Sequence, residues 1–359
     1  MHQASVRLLT VNDGGKRLAE LLGVEVPIIQ APMAGFQGSR LALAVAGSGG
    51  LGSLPCAVLG AEALREELAA LTREPSRAFN VNFFCHEMPP RDEAREAAWR
   101  ALLEPYYREL GLDATTPAAG APRRPFDAAA AAILEDFAPP VVSFHFGLPS
   151  EGLVARVRRW GAKVLSSATT VEEARWLEAR GVDAIIAQGL EAGGHRGNFL
   201  SLQTSTQIGT FALVRRVVRA VGVPVIAAGG IADAAGVAAA LALGASGVQV
   251  GTSYLLCPEA DTSAVHRAAL TGAGETAVTS LFSGRPARGI VNRLMKDLGP
   301  LSAAAAPAFP WASAALAPLR AKAEALGRGD FSALWCGQNA AGATGQPAAD
   351  ITRALAAAF

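Results

Sequence analysis

Apolar residues in this chain gather in short unbroken runs, each closing on glycine, proline or a polar side chain. Eight stand out: "VPIIQAPM" (26–33), "GLGSLP" (50–55), "FNVNFF" (79–84), "VVSFHFG" (141–147), "KVLSSAT" (163–169), "DAIIAQG" (183–189), "VPVIAAGG" (223–230) and "GVQVGT" (247–252). Most are continuous rather than alternating, as strands covered on both faces should be. Helical patterns lie between them. In "TTVEEARWLEARG", Thr170 and Glu173 have capping-box spacing and Gly181 sits where a helix ends. In "ADAAGVAAALALGASG", Asp233 can cap the start and Gly244 the end. A third amphipathic helix is predicted over 204–222. Strand and helix alternating in this way predict an α/β fold, a (β/α)8 TIM barrel. A doubly wound open sheet is the alternative, and eight similar units favour closure.

Two regions break the rhythm. Residues 85–138 are too long for one connecting helix: "RDEAREAAWRALLEPYYREL" predicts a long helix, and "TTPAAGAPRRP" (115–125) an exposed loop. After the eighth run, a helix pattern near 261–271 and the strand-like "TAVTSLFSG" suggest a small insertion. The expected division is a barrel holding all eight strands over 20–252, a small inserted α/β subdomain over 253–305, and C-terminal helices over 306–359 that return to the barrel.

Composition narrows the class. The chain has 359 residues, 51% hydrophobic and 18% charged, which fits a large folded core and excludes disorder. Thirty-two basic residues against 31 acidic leave +1, so nothing draws in nucleic acid. No apolar stretch is long enough to span a membrane, and the N-terminus lacks the apolar run of a signal peptide. Cys56, Cys85, Cys257 and Cys336 are far apart, with no zinc-type spacing; no metal site is expected, and the thiols fit a reduced, cytoplasmic protein.

"GSGGLG" (47–52) matches the dinucleotide fingerprint in letters only. A helix pattern precedes it and a strand follows, the reverse of the required order, so these glycines are expected to form a tight turn. The loops after the seventh and eighth strands are better placed for a phosphate. There Gly229 and Gly230, then Gly251 and Thr252, offer backbone N–H groups with little side chain in the way. Asn82, His145, Gln188 and Gln249 are polar residues in or at the end of apolar strands. A buried amide costs a few kcal/mol unless it is paired. These four polar residues, three amides and one imidazole, would face one cavity near the strand ends, where a polar heterocycle such as a flavin ring could satisfy them. His195, among the glycines of "EAGGHRG", adds an imidazole to the same end of the barrel.

Taken together, "PIIQAPMAG", "FNVNFFCH", "VVSFHFG", "AQGLEAGGHRG", "IAAGGIAD", "VQVGT" and "FSGRPARGIVNR" resemble the first class of nitronate monooxygenases, formerly 2-nitropropane dioxygenases, over residues 20 to 295. The resemblance implies an FMN-binding barrel that uses O2 to oxidise alkyl nitronates to a carbonyl compound and nitrite. Whether neutral nitroalkanes also serve is left open. FMN contacts would fall on Ala31, Pro32, Met33, Asn82, Gln188, Gly193, Gly194, Gly229, Gly230, Gln249, Val250, Gly251 and Thr252. His195 matches the family's active-site histidine, and His145 would line the substrate side. An imidazole titrates near neutrality, so His195 could pair with an anionic nitro group when protonated, or take an α-proton when neutral. Rival readings are an FMN-dependent NAD(P)H:quinone reductase or enoyl-thioester reductase on the same scaffold, and a non-catalytic flavin-binding protein.

Overall fold

In the computed structural model, which describes residues 13–73, 78–113, 123–272, 274–299 and 306–359, every one of the eight apolar runs contains a strand. They are β1 (Ile28–Gln30), β2 (Gly52–Pro55), β3 (Phe79–Phe84), β4 (Val141–His145), β5 (Lys163–Ala168), β6 (Ala184–Gln188), β7 (Val225–Ala228) and β8 (Gly247–Val250). All neighbours are parallel, in the order β1-β8-β7-β6-β5-β4-β3-β2, and an Ile29–Leu51 bridge links the two ends of the sheet. The result is the expected TIM barrel. Its register matters for function. Gln188 lies opposite Ala228, Ala228 opposite Gln249, and Phe84 opposite His145. The polar strand ends therefore meet at the C-terminal mouth, where barrels of this kind carry their sites.

The other mouth is stopped. Leu18 and Leu22, from the helix Asp13–Leu22, pack with Ile29, Leu51, Val141, Leu165, Ala184, Ile186, Ile226 and Ala228 in one buried cluster. This helix lies mostly before residue 20, ahead of the expected barrel boundary. Outside the strands, Leu41, Leu64, Leu134, Val157, Leu177, Val214 and Val237 form the larger core between sheet and helices.

Local signals mostly hold. Asp233 accepts a hydrogen bond from the Gly236 N–H at 2.8 Å and caps the helix Ala234–Ala242. The "GSGGLG" glycines make the helix-to-strand turn, and a Cβ on Gly52 would stand 2.0 Å from the Ala42 carbonyl oxygen. Two expectations need correction. Thr170 caps the helix Val171–Glu178 through the Glu173 N–H at 3.1 Å, but the Glu173 carboxylate turns to Thr169 and to the N–H groups of Phe199 and Leu200. The helix predicted over 204–222 is only Thr210–Val218. Its start is set from a distance: the Glu191 carboxylate accepts from the Thr210 N–H at 2.8 Å and from the Thr210 hydroxyl at 2.8 Å. The Thr/Ser/Gly-rich residues before it stay outside the helix.

A second core forms beside the barrel mouth. The long helix appears as Glu93–Glu109, and its Trp99, Leu103, Tyr106 and Tyr107 pack against Leu281, Leu294, Leu316, Leu319 and Phe331. Tyr107 donates to the Ala315 carbonyl at 2.6 Å, and Glu109 accepts from both terminal nitrogens of Arg293 at 2.8 and 2.7 Å. This body thus draws on residues from 93 and from beyond 305 as well as on the expected 253–305. The C-terminal segment divides: Ala312–Ala325 packs on the long helix, while Ala348–Ala356 returns to the barrel against Ser39–Ala46 and Ala234–Ala242. The loop expected at 115–125 lies, up to 122, outside the described residues.

Candidate active site

Every residue singled out from the sequence lines one cavity at the barrel's C-terminal mouth. Ala31, Pro32 and Met33 follow β1. Asn82, His145 and Gln188 come from β3, β4 and β6. Gly193, Gly194 and His195 come from the loop after β6. Gly229 and Gly230 follow β7, while Gln249, Val250, Gly251 and Thr252 end β8. The cavity is open to solvent on one side. Ile186 and Ala228 of the sealed end form its floor.

His195 is held from several sides. Gly194 and His195 form a two-residue strand, antiparallel to Ala287–Ile290 of the small sheet, which Thr276–Thr279 completes. The His195 carbonyl accepts from Gln188 Nε2 at 3.0 Å and lies 3.2 Å from His145 Nε2. A carbonyl can only accept, so His145 carries its hydrogen on Nε2, and Nδ1 accepts from the Ser167 hydroxyl at 2.8 Å. Both ring nitrogens are engaged by protein, and the expected substrate-side role of His145 is left to its ring face. Gln188 is equally committed: its Oε1 accepts from the Gly197 N–H at 2.8 Å. Gly193 passes so close to the tail that a Cβ there would lie 2.6 Å from the Cys336 carbonyl carbon.

The His195 ring meets Ser283, whose hydroxyl is 2.9 Å from Nε2 and donates to the Arg285 carbonyl at 3.1 Å. That network assigns the His195 hydrogen to Nε2. Nδ1 has no hydrogen-bond partner among the described residues and keeps its lone pair. Burial pushes the His195 pKa well below its ordinary 6.5, with the positive charge of Arg123 next in effect. Burial also takes His145 down to about 3 and His86 to about 4. These imidazoles are neutral at neutral pH. Phe84, Phe146 and Phe309 pack together against His195, with ring centroids 6.0, 6.0 and 5.4 Å from it. Phe146 itself has φ +71°, a strained backbone for a bulky residue.

Several groups in the cavity have no protein partner. The buried Gln249 Oε1 is orphaned, and Asn82, whose Nδ2 donates to the Ser143 hydroxyl at 2.9 Å, keeps Oδ1 free. The backbone N–H groups of Gly229, Gly230, Gly251 and Thr252 also make no hydrogen bond among the described residues. Gly230 has φ +74°, a left-handed conformation that suits glycine. Thr252 Oγ1 accepts from the Gly337 N–H at 3.0 Å and also lies against the Cys336 thiol. Two loops of bare N–H groups and an orphaned amide thus share one cavity, and such loops are a common setting for anions.

Sequence reasoning missed several residues here. Trp335, Gly337 and Asn339 close one wall, and Asn339 donates to the Gly230 carbonyl at 3.0 Å. They come from a tail with no barrel period to flag them. Ser283 stood inside "FSGRPARGIVNR" but nothing local told of its pairing with His195. Arg123 was grouped with an exposed loop, yet it lines the cavity.

Among the described residues, no helix is long and apolar enough to cross a membrane, and the four cysteines are free thiols, three of them buried. The nitronate monooxygenase family model matches residues 15–357. The chain is 44% identical to a nitronate monooxygenase of Pseudomonas aeruginosa, covering 94% of this chain and 97% of that one. It is 43% identical to a nitronate monooxygenase of Paraburkholderia phytofirmans, covering 97% and 96%. Among solved structures it is similar to nitroalkane oxidase from Streptomyces ansochromogenes, with TM-score 0.85, 37% identity and coverage of 95% and 96%. FabK from Thermotoga maritima is more distant, at TM-score 0.68, 28% identity and 94% coverage of each chain.

The buried rings make the fold acid-labile. His86, His145, His195 and His266 all have folded-state pKa values below 6.5, so below that pH the unfolded chain binds protons that the native state refuses. Stability is full above pH 6.5 and is lost as pH falls toward the folded values. Urea midpoints at about pH 7 and about pH 5 are expected to show a clear drop, whereas an equal or higher midpoint at the lower pH would contradict it.

Proposed function

The chain belongs to the nitronate monooxygenase family, which makes it an oxidoreductase that oxidises nitronates; we propose that it does so with FMN held across the barrel mouth and with His195 as its acid–base group. Members of the family are flavin-dependent in general. The observation that carries the choice of FMN is the pair of loops after β7 and β8, whose four unpartnered N–H groups open on the same cavity as His195. They suit one phosphate. Nothing in the right strand–turn–helix context suits a second, since "GSGGLG" is spent on a turn.

In this reading Gly229, Gly230, Gly251 and the Thr252 hydroxyl hold the phosphate. Asn82 Oδ1 and the Gln249 amide meet polar atoms of the ring, and Ala31, Pro32, Met33 and Val250 pack around it. Gly193 and Gly194 let the backbone approach closely. Gln188 and His145 touch the cofactor space but act mainly by gripping the His195 carbonyl. Bound FMN supplies acceptance of electrons from the substrate carbon and the reaction with O2. Phe84, Phe146 and Phe309 keep water from the reacting carbon. His195 Nδ1, neutral and free, takes the α-proton when the substrate arrives as a neutral nitroalkane, the substrate class in the name of the Streptomyces relative. With a preformed nitronate the ring only orients. Products are a carbonyl compound and nitrite.

Heat release of the bound cofactor followed by chromatography is expected to yield FMN; FAD would overturn the single-phosphate reading. Gly230→Val puts a branched Cβ at positive φ and is expected to weaken FMN binding at least about tenfold in a flavin titration of folded protein. Unchanged affinity would move the phosphate elsewhere.

His195→Asn keeps a donor and removes the base. With a neutral nitroalkane, O2 consumption is expected to fall about 10²–10⁴-fold, and with its preformed nitronate far less. Equal slowing of the two would give His195 a step common to both, and a wild type that uses nitronates alone would exclude the base role.

A further inference from the structure

We propose that Arg123 is the residue that recognises the negative charge of the substrate, its guanidinium meeting the two nitro oxygens of the nitronate. The inference rests on the nitronate reading of this cavity and names a residue for it.

Among the described residues lining the cavity there is no Asp or Glu, and with His145 and His195 neutral, Arg123 is the only charged side chain. Its guanidinium makes no hydrogen bond and no ion pair among the described residues. Arg320, outside the cavity lining, lies close enough to add to the positive charge felt by Arg123; three other arginines near His195 are engaged with protein. Arg285 lies 3.7 Å above the Phe146 ring and donates to the Asn198 carbonyl. Arg196 donates to Gln207 Oε1 at 2.7 Å and the Gln188 carbonyl at 3.0 Å. Arg288 donates to the Leu190 carbonyl at 3.0 Å and to Thr276 Oγ1 at 3.1 Å.

A half-buried guanidinium without a partner is costly, because burial disfavours the charge and the group does not lose its proton in the working range. Several arginines elsewhere are paired with acids, as Arg65 is with Asp136, Arg156 with Glu135 and Arg353 with Asp350. Arg123 faces a space that one small monoanion would balance. A nitronate carries its charge on a planar O–N–O group, shaped like a carboxylate, and the guanidinium fork fits such a pair of oxygens. The placement also orients the reacting carbon. Arg123 lies near enough to His195 to be the chief charge acting on that ring, so an anion seated on Arg123 is presented beside the imidazole. Its charge then offsets the field that disfavours a proton on His195.

The test uses the flavin-loaded protein, Arg123→Gln, Arg123→Lys, and nitrate as a planar monoanion that cannot react. Wild type is expected to show competitive inhibition by nitrate against a nitronate. In Arg123→Gln, kcat/KM for the nitronate is expected to fall about 10–100-fold, chiefly through KM, with nitrate inhibition weakened in parallel. Arg123→Lys is expected to recover part of both, since it restores the charge without the fork. Unchanged KM and unchanged nitrate inhibition in folded, flavin-replete Arg123→Gln would overturn the assignment. If that variant does not fold, absence of competition by nitrate in wild type overturns it. A wild type that does not oxidise nitronates at all is a different failure, that of the reading beneath this one.

Discussion

The carbonyl oxygen of His195 accepts two hydrogen bonds, from Gln188 Nε2 at 3.0 Å and from His145 Nε2 at 3.2 Å. The donors stand at the ends of β6 and β4, so a loop atom is tied to two rigid barrel strands. Each bond is worth only about 1 kcal/mol net, but leaving the buried partners unmade would cost about 1–3 kcal/mol apiece. The grip is reinforced outside the barrel. The small sheet pairs Ala287 with His195, and Ser283 meets the ring at Nε2. The second core, built on Trp99, Tyr107 and Phe331, carries that sheet. The second body thus helps to fix the position of the His195 ring.

The same enclosure sets the charge state. Burial disfavours protonation of His195, His145 and His86, and the arginines around them push the same way. The cavity lining thus combines neutral imidazoles with Arg123, its one charged side chain among the described residues. That charge suits an anion, and Phe84 gives the cavity an apolar wall, backed by Phe146 and Phe309. The two loops of bare N–H groups after β7 and β8 line the same cavity.

The barrel was legible because its strands are covered on both faces, and continuous apolar runs such as "FNVNFF" have few other uses. The candidate site was legible wherever a residue broke a local rule: amides inside strands at Asn82 and Gln249, glycines bunched after β7, a histidine among glycines at 195. What escaped had no local rule to break. Ser283 is an ordinary loop serine until the fold brings it 88 positions back to His195. Glu191 starts the helix at Thr210 by a contact across a loop, so the pattern over 204–209 misled. Trp335, Gly337 and Asn339 reach the cavity from a tail whose course depends on the second core.

FabK shares this scaffold at TM-score 0.68, and a fold alone does not set an activity, so the rival reductase reading needs its own test. Anaerobic mixing of the flavin-loaded protein with a nitronate, and separately with NADH, separates the two readings. The expected result is rapid loss of the visible flavin absorbance with the nitronate and little change with NADH. Fast bleaching by NADH with none by the nitronate would contradict the assignment of this cavity.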